Sequence, residues 1–249
     1  MKIADQPLEL LVRSLRLRAP LSDSDADAIR ALPHNIKLLE AGTYTVREAD
    51  STPVCGVLIS GFAYRQKTSS DGDRQIVSVL IPGDALDLQN IFLDVSDHSV
   101  QMLTRGEVAV LQRADVQALI RDNAAVARAM MVNILTEASI LREWVLNVGQ
   151  RSGKERAAHL LCEFAIRLKA AGLADQYAYE LPMTQEQIGD ALGLTPVHVN
   201  RMLKALQADG LITRTKRVVQ FPNWEAMRNV AGFNERYLHL EVQRNGMSL

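Results

Sequence analysis

The chain has 249 residues, of which 47% are hydrophobic and 23% are charged, and its formal net charge is -1. This composition is that of a globular protein long enough for two modest domains. Two cysteines are too few for a disulfide framework, and we expect no apolar run long enough to span a bilayer. The N-terminal segment lacks the apolar core of a signal peptide, so we expect a cytoplasmic protein with no membrane contact.

The first 32 residues predict two short helices, over residues 8–17 and 22–32. Ser22 suits the N-cap of the second helix, and acidic residues follow it in the first turn, where the helix dipole favours negative charge. The character of the sequence changes directly afterwards. We therefore expect these helices to flank the domain that follows.

Residues 36–113 are rich in β-forming residues and are divided by turn signals such as DG at 71–72 and PGD at 82–84. The signals recur at the spacing typical of an antiparallel barrel or roll. The clearest strands are predicted at residues 44–46, 54–59, 62–66, 75–80 and 100–103. A cupin-like jelly roll fits the same pattern, but a metal-binding cupin needs clustered His and carboxylate ligands. Only His34 and His98 are available here, so we predict no metal site.

A long helix is predicted over residues 114–149, because apolar residues recur there at alternating spacings of three and four. Such a repeat is typical of a seam between two helices. The predicted seam residues are Met131, Ile134, Ala138, Leu141, Val145 and Val148. A second apolar set, expected to face inward, includes Val126, Met130, Leu135 and Leu146. Two apolar faces favour a parallel homodimer over the alternative, a helix that packs only onto its own domain.

The segment after this helix reads GQRSG at residues 149–153, which predicts a hinge. A further helix is expected over residues 153–171. Within it, we interpret His159 as a partly buried structural residue.

Two capped helices joined by a tight glycine turn are predicted from the stretch TQEQIGDALGLTPVHVNRMLKALQADGLI, residues 184–212. Thr184 suits an N-cap, and Gln187 lies three positions on, which is the spacing of a capping box. The first helix is expected to end near Gly193. The second has Pro196 at its first helical position, where a missing N–H costs nothing. This pattern predicts a helix-turn-helix.

The second of these helices has one apolar and one polar face. The residues spaced to pack inward are Val199, Met202, Leu203 and Leu206. Val197, Arg201 and Lys204 therefore point outward. An exposed helix with an arginine near its N-terminus suits the DNA major groove, where arginine can bond guanine through two hydrogen bonds. An ordinary pair of helices would share the caps and the apolar stripe, and is the alternative.

A hairpin with a cationic tip is predicted directly afterwards, because two β-prone runs flank basic residues in LITRTKRVVQF, residues 211–221. Such a wing would meet DNA phosphates. We expect base contacts from Val197, His198 and Arg201. The expected phosphate contacts are Thr184, Gln185, Thr195, Lys204, Arg214, Lys216 and Arg217.

The phrase LPMTQEQIGDALGLTPVHVNRMLKALQADGLI resembles the winged-helix segment of the Crp/Fnr superfamily of bacterial transcription factors, as it occurs in alphaproteobacterial members. The upstream order of elements also fits, so the resemblance covers roughly the whole chain. It implies an α+β fold in three parts. These are an antiparallel β-roll of the cyclic-nucleotide-binding, jelly-roll type with flanking helices (1–113), a dimerisation helix (114–149) and a winged helix-turn-helix (150–249).

The resemblance also locates an effector pocket. In relatives that bind cyclic AMP, a glycine and a glutamate after the PGD turn meet the ribose, and an Arg-Ser pair meets the phosphate. Asp87 and Leu88 stand at the first two positions, and His98 and Ser99 at the second two. Leu141 stands where a hydroxyl would meet the base. The residues of this degenerate pocket are Asp87, Leu88, His98, Ser99, Leu141 and Arg142.

The charges near His98 are unsuited to an anion. The imidazole lies beside Asp94 and Asp97 in the sequence, and these carboxylates would repel a phosphate. We therefore predict that cyclic nucleotide does not bind. An unknown small-molecule effector, or no effector at all, remains open.

The resemblance implies a homodimer that binds a palindromic duplex, works with RNA polymerase and needs no cofactor. Catalysis is not expected, because the sequence has no GxSxG elbow, P-loop, HExxH or CxxC motif. Cys55 and Cys162 are too few for the iron–sulfur site of the fumarate-nitrate branch, and we interpret them as packing residues, with a redox-sensing thiol as the alternative. The alternative function is a ligand-gated module that binds protein and not DNA.

Overall fold

The computed structural model describes residues 6–174 and 177–240, so the outermost residues of the first and last predicted domains, 1–5 and 241–249, lie outside the described residues. The chain divides into two compact units. The first comprises the residues up to Lys67 together with Ser78–Ala138. The second comprises Thr68–Val77 together with Ser139–Leu238.

Two short helices precede the roll, as predicted: α1 spans Glu9–Arg16 and α2 spans Asp23–Arg30. The Ser22 hydroxyl accepts a hydrogen bond from the Asp25 N–H, and the Asp25 carboxylate accepts one from the Ser22 N–H. This capping box fixes the start of α2. Leu15 of α1 is fully buried in the core that the helices share with the strands.

Seven of the described strands form the β-roll. Their bounds are β1 (His34–Leu39), β2 (Tyr44–Val46), β3 (Val54–Leu58), β4 (Ala63–Thr68), β5 (Arg74–Leu80), β6 (Ser99–Met102) and β7 (Gly106–Gln112). They make two sheets, ordered β1-β7-β3 and β2-β6-β4-β5. The predicted strands are therefore confirmed as β2 to β6.

The strands β1 and β7 go beyond the sequence prediction. They pair antiparallel, in a register that runs from His34 opposite Leu111 to Leu39 opposite Gly106. Most of β1 is exposed, so its sequence HNIKLL lacks the apolar alternation that identifies a half-buried strand. Its strand conformation depends on a partner some seventy residues further along the chain.

The helix predicted over residues 114–149 is in fact two helices, α3 (Arg113–Asp122) and α4 (Ala124–Gln150). Asn123 separates them, with extended backbone angles of φ -130° and ψ 101°. Its side-chain oxygen accepts a hydrogen bond from the Val126 N–H at 3.0 Å, so Asn123 acts as the N-cap of α4. An asparagine side chain that bonds to the backbone in this way can interrupt a continuous helix.

The helix α4 is long and apolar enough to cross a membrane, with a mean hydropathy of 1.4 over its most apolar window. The expectation that no such run exists was therefore wrong. In the first unit, however, α4 buries Val126 and Met130 in the hydrophobic core and carries Glu137, which is bonded to Arg65 of the roll. The core helix of a globular protein has these properties too.

The C-terminal half of α4 belongs to the second unit. The Trp144 Nε1–H donates to the Glu163 carboxylate at 3.0 Å, and the Tyr237 hydroxyl donates to the same carboxylate at 2.8 Å. Burial raises the pKa of Glu163. Because this network joins α4 to the later helices, the division between the units falls after Ala138 and not at the hinge expected at residues 149–153.

The helix α5 (Gly153–Ala170) follows, close to its predicted bounds. His159 on this helix is fully buried, more than predicted, and packs against the rings of Phe233 and Tyr237. Burial lowers the pKa of its imidazole to about 3, so it is a neutral core residue. Cys162 is likewise buried, and burial raises its pKa, as burial raises the pKa of Cys55 to about 12. Neither thiol has the lowered pKa of a reactive cysteine.

The remaining elements complete a winged helix. They are β8 (Ala178–Glu180), α6 (Gln185–Leu192), α7 (Pro196–Ala208), β9 (Thr213–Thr215), β10 (Val218–Gln220) and α8 (Trp224–Ala231). Their strands form a sheet of order β8-β10-β9. The hairpin β9–β10 was predicted, whereas β8 was not.

Candidate nucleic-acid interface and effector pocket

The turn between α6 and α7 is built as the sequence predicts. The Thr184 hydroxyl accepts a hydrogen bond from the Gln187 N–H, and the Gln187 side chain accepts one from the Thr184 N–H. Gly193 ends α6 in the left-handed conformation with φ 64°. The Thr195 hydroxyl then caps α7 by accepting a hydrogen bond from the His198 N–H at 3.3 Å. Each threonine hydroxyl still has its own proton to donate, for example to a phosphate oxygen.

The two faces of α7 are separated as the spacing predicts. Val199, Leu203 and Leu206 are almost completely buried. Val197 is 81% exposed, which is unusual for a large apolar side chain. Arg201 is exposed as well. The helix thus holds its register through one face and offers the other to a partner.

A shallow surface groove follows the exposed face of α7. Its lining residues are Gln185, Pro196, Val197, Asn200, Arg201 and Lys204. The groove therefore brings together four residues predicted to contact DNA, from both helices of the motif. Asn200 was missed, although its spacing from Val197 and Lys204 places it on the same helical face.

His198 occupies a different position from its predicted companions. It is half-buried, and a Cβ atom added to Gly153 would lie 2.9 Å from its Nε2 atom. The Arg201 Nη2 lies 3.4 Å from the same Nε2. The imidazole therefore packs against the start of α5 and lies beside the arginine side chain.

The wing presents its cations unequally. Lys216 and Arg217 form the turn between β9 and β10 and are both exposed. Neither makes an ion pair within residues 6–174 and 177–240. Arg214 is half-buried, and its Nε atom is enclosed without a hydrogen-bond partner. Lys216 and Arg217 are thus the wing residues best placed to meet an anion.

An exposed apolar stripe runs along α4. It is exposed at Met131, Leu135, Leu141, Val145 and Leu146 and half-exposed at Ala138. Two predicted seam residues lie elsewhere: Ile134 packs against the core of the first unit, and Val148 lies beside Gly193. Leu135 and Leu146, in contrast, were assigned to the inward face and are exposed. Four of the six predicted seam residues, Met131, Ala138, Leu141 and Val145, therefore lie on the exposed or half-exposed side of α4.

The interior of the roll contains a cavity of about 140 Å³. Ligand sites usually measure roughly 300 to 1,000 Å³. Leu86, Cys55 and Asp87 are among its lining residues. The Asp87 carboxylate is buried and accepts a hydrogen bond from the Gly56 N–H at 3.2 Å. Burial raises the pKa of Asp87 to about 6. An anionic ligand would meet a buried acid here.

His98, at the position expected for a phosphate-binding arginine, is also buried. Its Nδ1 lies 2.7 Å from the Asp97 carboxylate. Burial lowers the pKa of His98, and the hydrogen bond with Asp97 opposes this effect. Asp94 was expected beside the imidazole, but it pairs with Arg113 at 3.1 Å instead. One carboxylate, not two, therefore accompanies the histidine.

The other predicted pocket residues divide between the two units. Leu88 belongs to the hydrophobic core of the first unit. The Ser99 hydroxyl accepts a hydrogen bond from the Glu48 N–H at 2.9 Å. Leu141 and Arg142 lie on the exposed part of α4 in the second unit. Leu88 and Ser99 are thus engaged in the structure of the roll.

The roll also holds a buried guanidinium that sequence reasoning missed. Arg65 on β4 is 7% exposed, and each of its nitrogens is hydrogen-bonded. The Nε donates to the Leu86 carbonyl and Nη2 to the Ala85 carbonyl, both at 2.9 Å. Nη1 and Nη2 donate to the two carboxylate oxygens of Glu137 on α4, at 2.9 and 3.3 Å.

This ion pair neutralises the Arg65 charge inside the protein. Its carboxylate is held further by the Asn133 side chain, whose Nδ2 donates to the Glu137 carboxylate at 3.3 Å. The Arg65 charge also lowers the pKa values of Asp87 and His98, although burial has the larger effect on both. The only signal in the sequence would have been a lone arginine in the strand predicted at residues 62–66.

A roll of this kind and a winged helix-turn-helix in one chain define a class of DNA-binding transcription regulators. The profile of the Crp-like helix-turn-helix domain matches residues 155–230. The profile of the cyclic nucleotide-binding domain matches residues 36–123. Together they cover most of both units.

Named regulators are similar to this chain in sequence and in fold. The transcriptional activator protein FnrL of Cereibacter sphaeroides is 27% identical over 206 residues, which is 80% of this chain and 81% of that protein. The nitrogen fixation regulation protein FixK of Bradyrhizobium diazoefficiens is 29% identical over 204 residues, 80% of this chain and 84% of that protein. The structure of FixK2 from Bradyrhizobium japonicum has the same fold, with a TM-score of 0.75 and 24% identity, over 82% of this chain and all of that one.

The chain belongs to the Crp/Fnr family of DNA-binding transcription regulators. The predicted fold class is confirmed, with an N-terminal roll, a long helix and a C-terminal helix-turn-helix. Family membership also favours DNA binding over the alternative of a module that binds only protein. The family consists of regulators and not of enzymes.

Proposed function

We propose that this protein regulates transcription in the cytoplasm as a homodimer on a palindromic operator, without cyclic nucleotide. The observation that carries the proposal is the groove along α7, where an exposed arginine, an exposed lysine and an exposed valine lie on one face of a helix capped by Thr195. Arg201 would bond a guanine in the major groove, and Val197 would contact a neighbouring base. Lys204, Lys216 and Arg217 would contact phosphates, together with the caps Thr184 and Thr195.

The apolar stripe of α4 supports the homodimer. Val145, at 75% exposure, is the most exposed of its apolar residues. Such a stripe, which recurs every three or four residues, fits a second copy of the same helix. In a dimer the two α7 helices would enter successive major grooves, about 34 Å apart. RNA polymerase would be the partner of the bound dimer.

The interior of the roll supports independence from cyclic nucleotide. The cavity is small, Asp87 lines it, and Arg65 is already neutralised by Glu137. A nucleotide phosphate would have to displace that carboxylate and face a second one. A buried charge left without its partner is costly, typically by several kcal/mol.

The test compares one arginine variant and one lysine variant for binding to operator and random duplexes. Arg201→Ala should lose site-specific binding, at a cost of about 1 to 3 kcal/mol per half-site, while weak non-specific binding remains. Lys216→Ala should weaken all sequences alike and flatten the dependence of affinity on salt. A preserved sequence preference in Arg201→Ala would refute this orientation of α7. Adding cyclic AMP to the wild type should change operator affinity by less than about threefold. A ligand can shift a protein between two conformational states only by as much as its affinity for them differs.

A further inference from the structure

The recognition groove contains one polar side chain to which no contact has been assigned. We propose that Asn200 reads an adenine in the major groove, at the base pair next to the guanine read by Arg201. The inference rests on the proposed function of α7 and specifies the sequence that the helix recognises.

The position of Asn200 on the helix is the first support. Val197, Asn200, Arg201 and Lys204 follow the spacing of one helical face, with Asn200 one turn after Val197 and one turn before Lys204. The groove lining contains all four. Asn200 therefore lies in the centre of the surface that faces the partner, where a short side chain can reach a base edge.

The second support is the unused hydrogen-bonding capacity of Asn200. Its carboxamide has no hydrogen-bond partner in the part of the chain that the structure describes, unlike the capping side chains around it. A carboxamide offers one donor and one acceptor side by side, and adenine presents the complementary N7 acceptor and N6 donor in the major groove. Guanine presents two acceptors there, one of which would face the Asn200 oxygen. The chemistry therefore selects adenine.

The neighbouring side chains fix where that adenine lies. Consecutive residues of a helix advance only about 1.5 Å along its axis, so the two side chains start within one base-pair step of roughly 3.4 Å. Asn200 and Arg201 should thus meet adjacent pairs. The thymine paired with the adenine carries a methyl group in the same groove, which suits the exposed isopropyl group of Val197. A half-site with an A·T pair beside a G·C pair satisfies all three side chains.

The experiment uses the full-length protein and duplexes selected from a random pool. Wild type should select an adenine beside the guanine whose selection is lost in Arg201→Ala. Replacing that adenine with 7-deazaadenine, or with purine, which lacks the N6 amino group, should weaken wild-type binding by roughly 5- to 150-fold. Asn200→Ala should bind the unmodified site that much more weakly, and neither base analogue should weaken it further.

The matched control is Gln207→Ala, which removes an exposed carboxamide from the C-terminal turn of the same helix. It should keep the affinity and the selected sequence of the wild type. Thermal unfolding of both variants checks that each is folded, which is expected because Asn200 is only half-buried and Gln207 is exposed.

Two results would overturn the inference and leave the proposed function intact. In the first, Asn200→Ala still selects the same adenine and still responds to the analogues. In the second, it weakens every duplex alike and lowers the salt dependence, as loss of a phosphate contact would. If the wild type selects no sequence at all, the proposed function itself fails.

Discussion

The roll and the winged helix use their cationic side chains in opposite ways. Arg65 in the roll is buried, and protein oxygens satisfy every one of its nitrogens. Arg201 and Lys204 on α7 are exposed and form no ion pair among the described residues. A buried guanidinium must find its acceptors inside the protein, because an unpaired charge there is costly. A side chain that reads DNA must stay unpaired until the DNA arrives.

This contrast distinguishes charged groups that are already paired within the protein from charged groups that are free to bind a partner. The winged helix presents exposed polar side chains on a capped helix, whereas the roll pairs its buried arginine with its own oxygens. In the roll the Arg65 guanidinium is paired within the protein, whereas the exposed face of α7 carries Arg201 and Lys204 without ion-pair partners among the described residues. Three substitutions test this difference between the roll and the winged helix.

The largest effect is expected from Leu141→Asp in the exposed stripe of α4. In a dimer a carboxylate would be buried there beside its symmetry mate, which strongly disfavours association. The variant should sediment as a monomer, and its operator affinity should fall by more than about 100-fold, because one recognition helix replaces two. Leu141→Met, which keeps the apolar contact, is the control. A Leu141→Asp protein that still sediments as a dimer would place the interface elsewhere.

An intermediate effect is expected from Glu137→Ala in the roll. The change leaves Arg65 buried without its carboxylate, so the free energy of unfolding should fall by about 2 to 4 kcal/mol, measured in urea. Glu137→Gln should cost less, because its amide oxygen still accepts from the guanidinium. Arg128→Ala removes an exposed charge from the same helix and should change stability by less than about 0.5 kcal/mol. If Glu137→Ala changes stability as little as Arg128→Ala does, the Arg65–Glu137 pair does not stabilise the roll.

The smallest effect concerns Asp87 and the pH. Because burial raises its pKa to about 6 from the model-compound value of 3.8, the native state binds this proton more tightly than the unfolded chain does. Stability therefore falls as the pH rises through this window. Asp87→Asn should raise the free energy of unfolding at pH 7 by about 1 to 3 kcal/mol, and the gain should disappear near pH 4.

Urea unfolding at several pH values measures this gain. Asp71→Asn, in an exposed turn, is the matched control and should show no such difference. If the gain in the free energy of unfolding of Asp87→Asn does not vary with pH, the ionised Asp87 carboxylate does not destabilise the folded roll.

The sequence alone determined the helix-turn-helix. Thr184, Gln187, Gly193 and Thr195 act within a few residues of where they stand, through caps and a left-handed turn, so their roles can be predicted without the rest of the chain. The exposed face of α7 follows in the same way from a period of 3.6 residues. Asn200 lies on that face by the same arithmetic.

Only the tertiary structure decided the interior of the roll. Arg65 and Glu137 are 72 positions apart, and neither residue carries a local signal of the other. The strand β1 exists because β7 lies beside it, and the residues that α4 buries depend on which distant segments pack against it. His198 follows the same rule, since its place is set by Gly153 on another helix. Caps and helical periods are short-range and can be predicted from sequence, whereas pairing and burial depend on which distant segments the fold brings together.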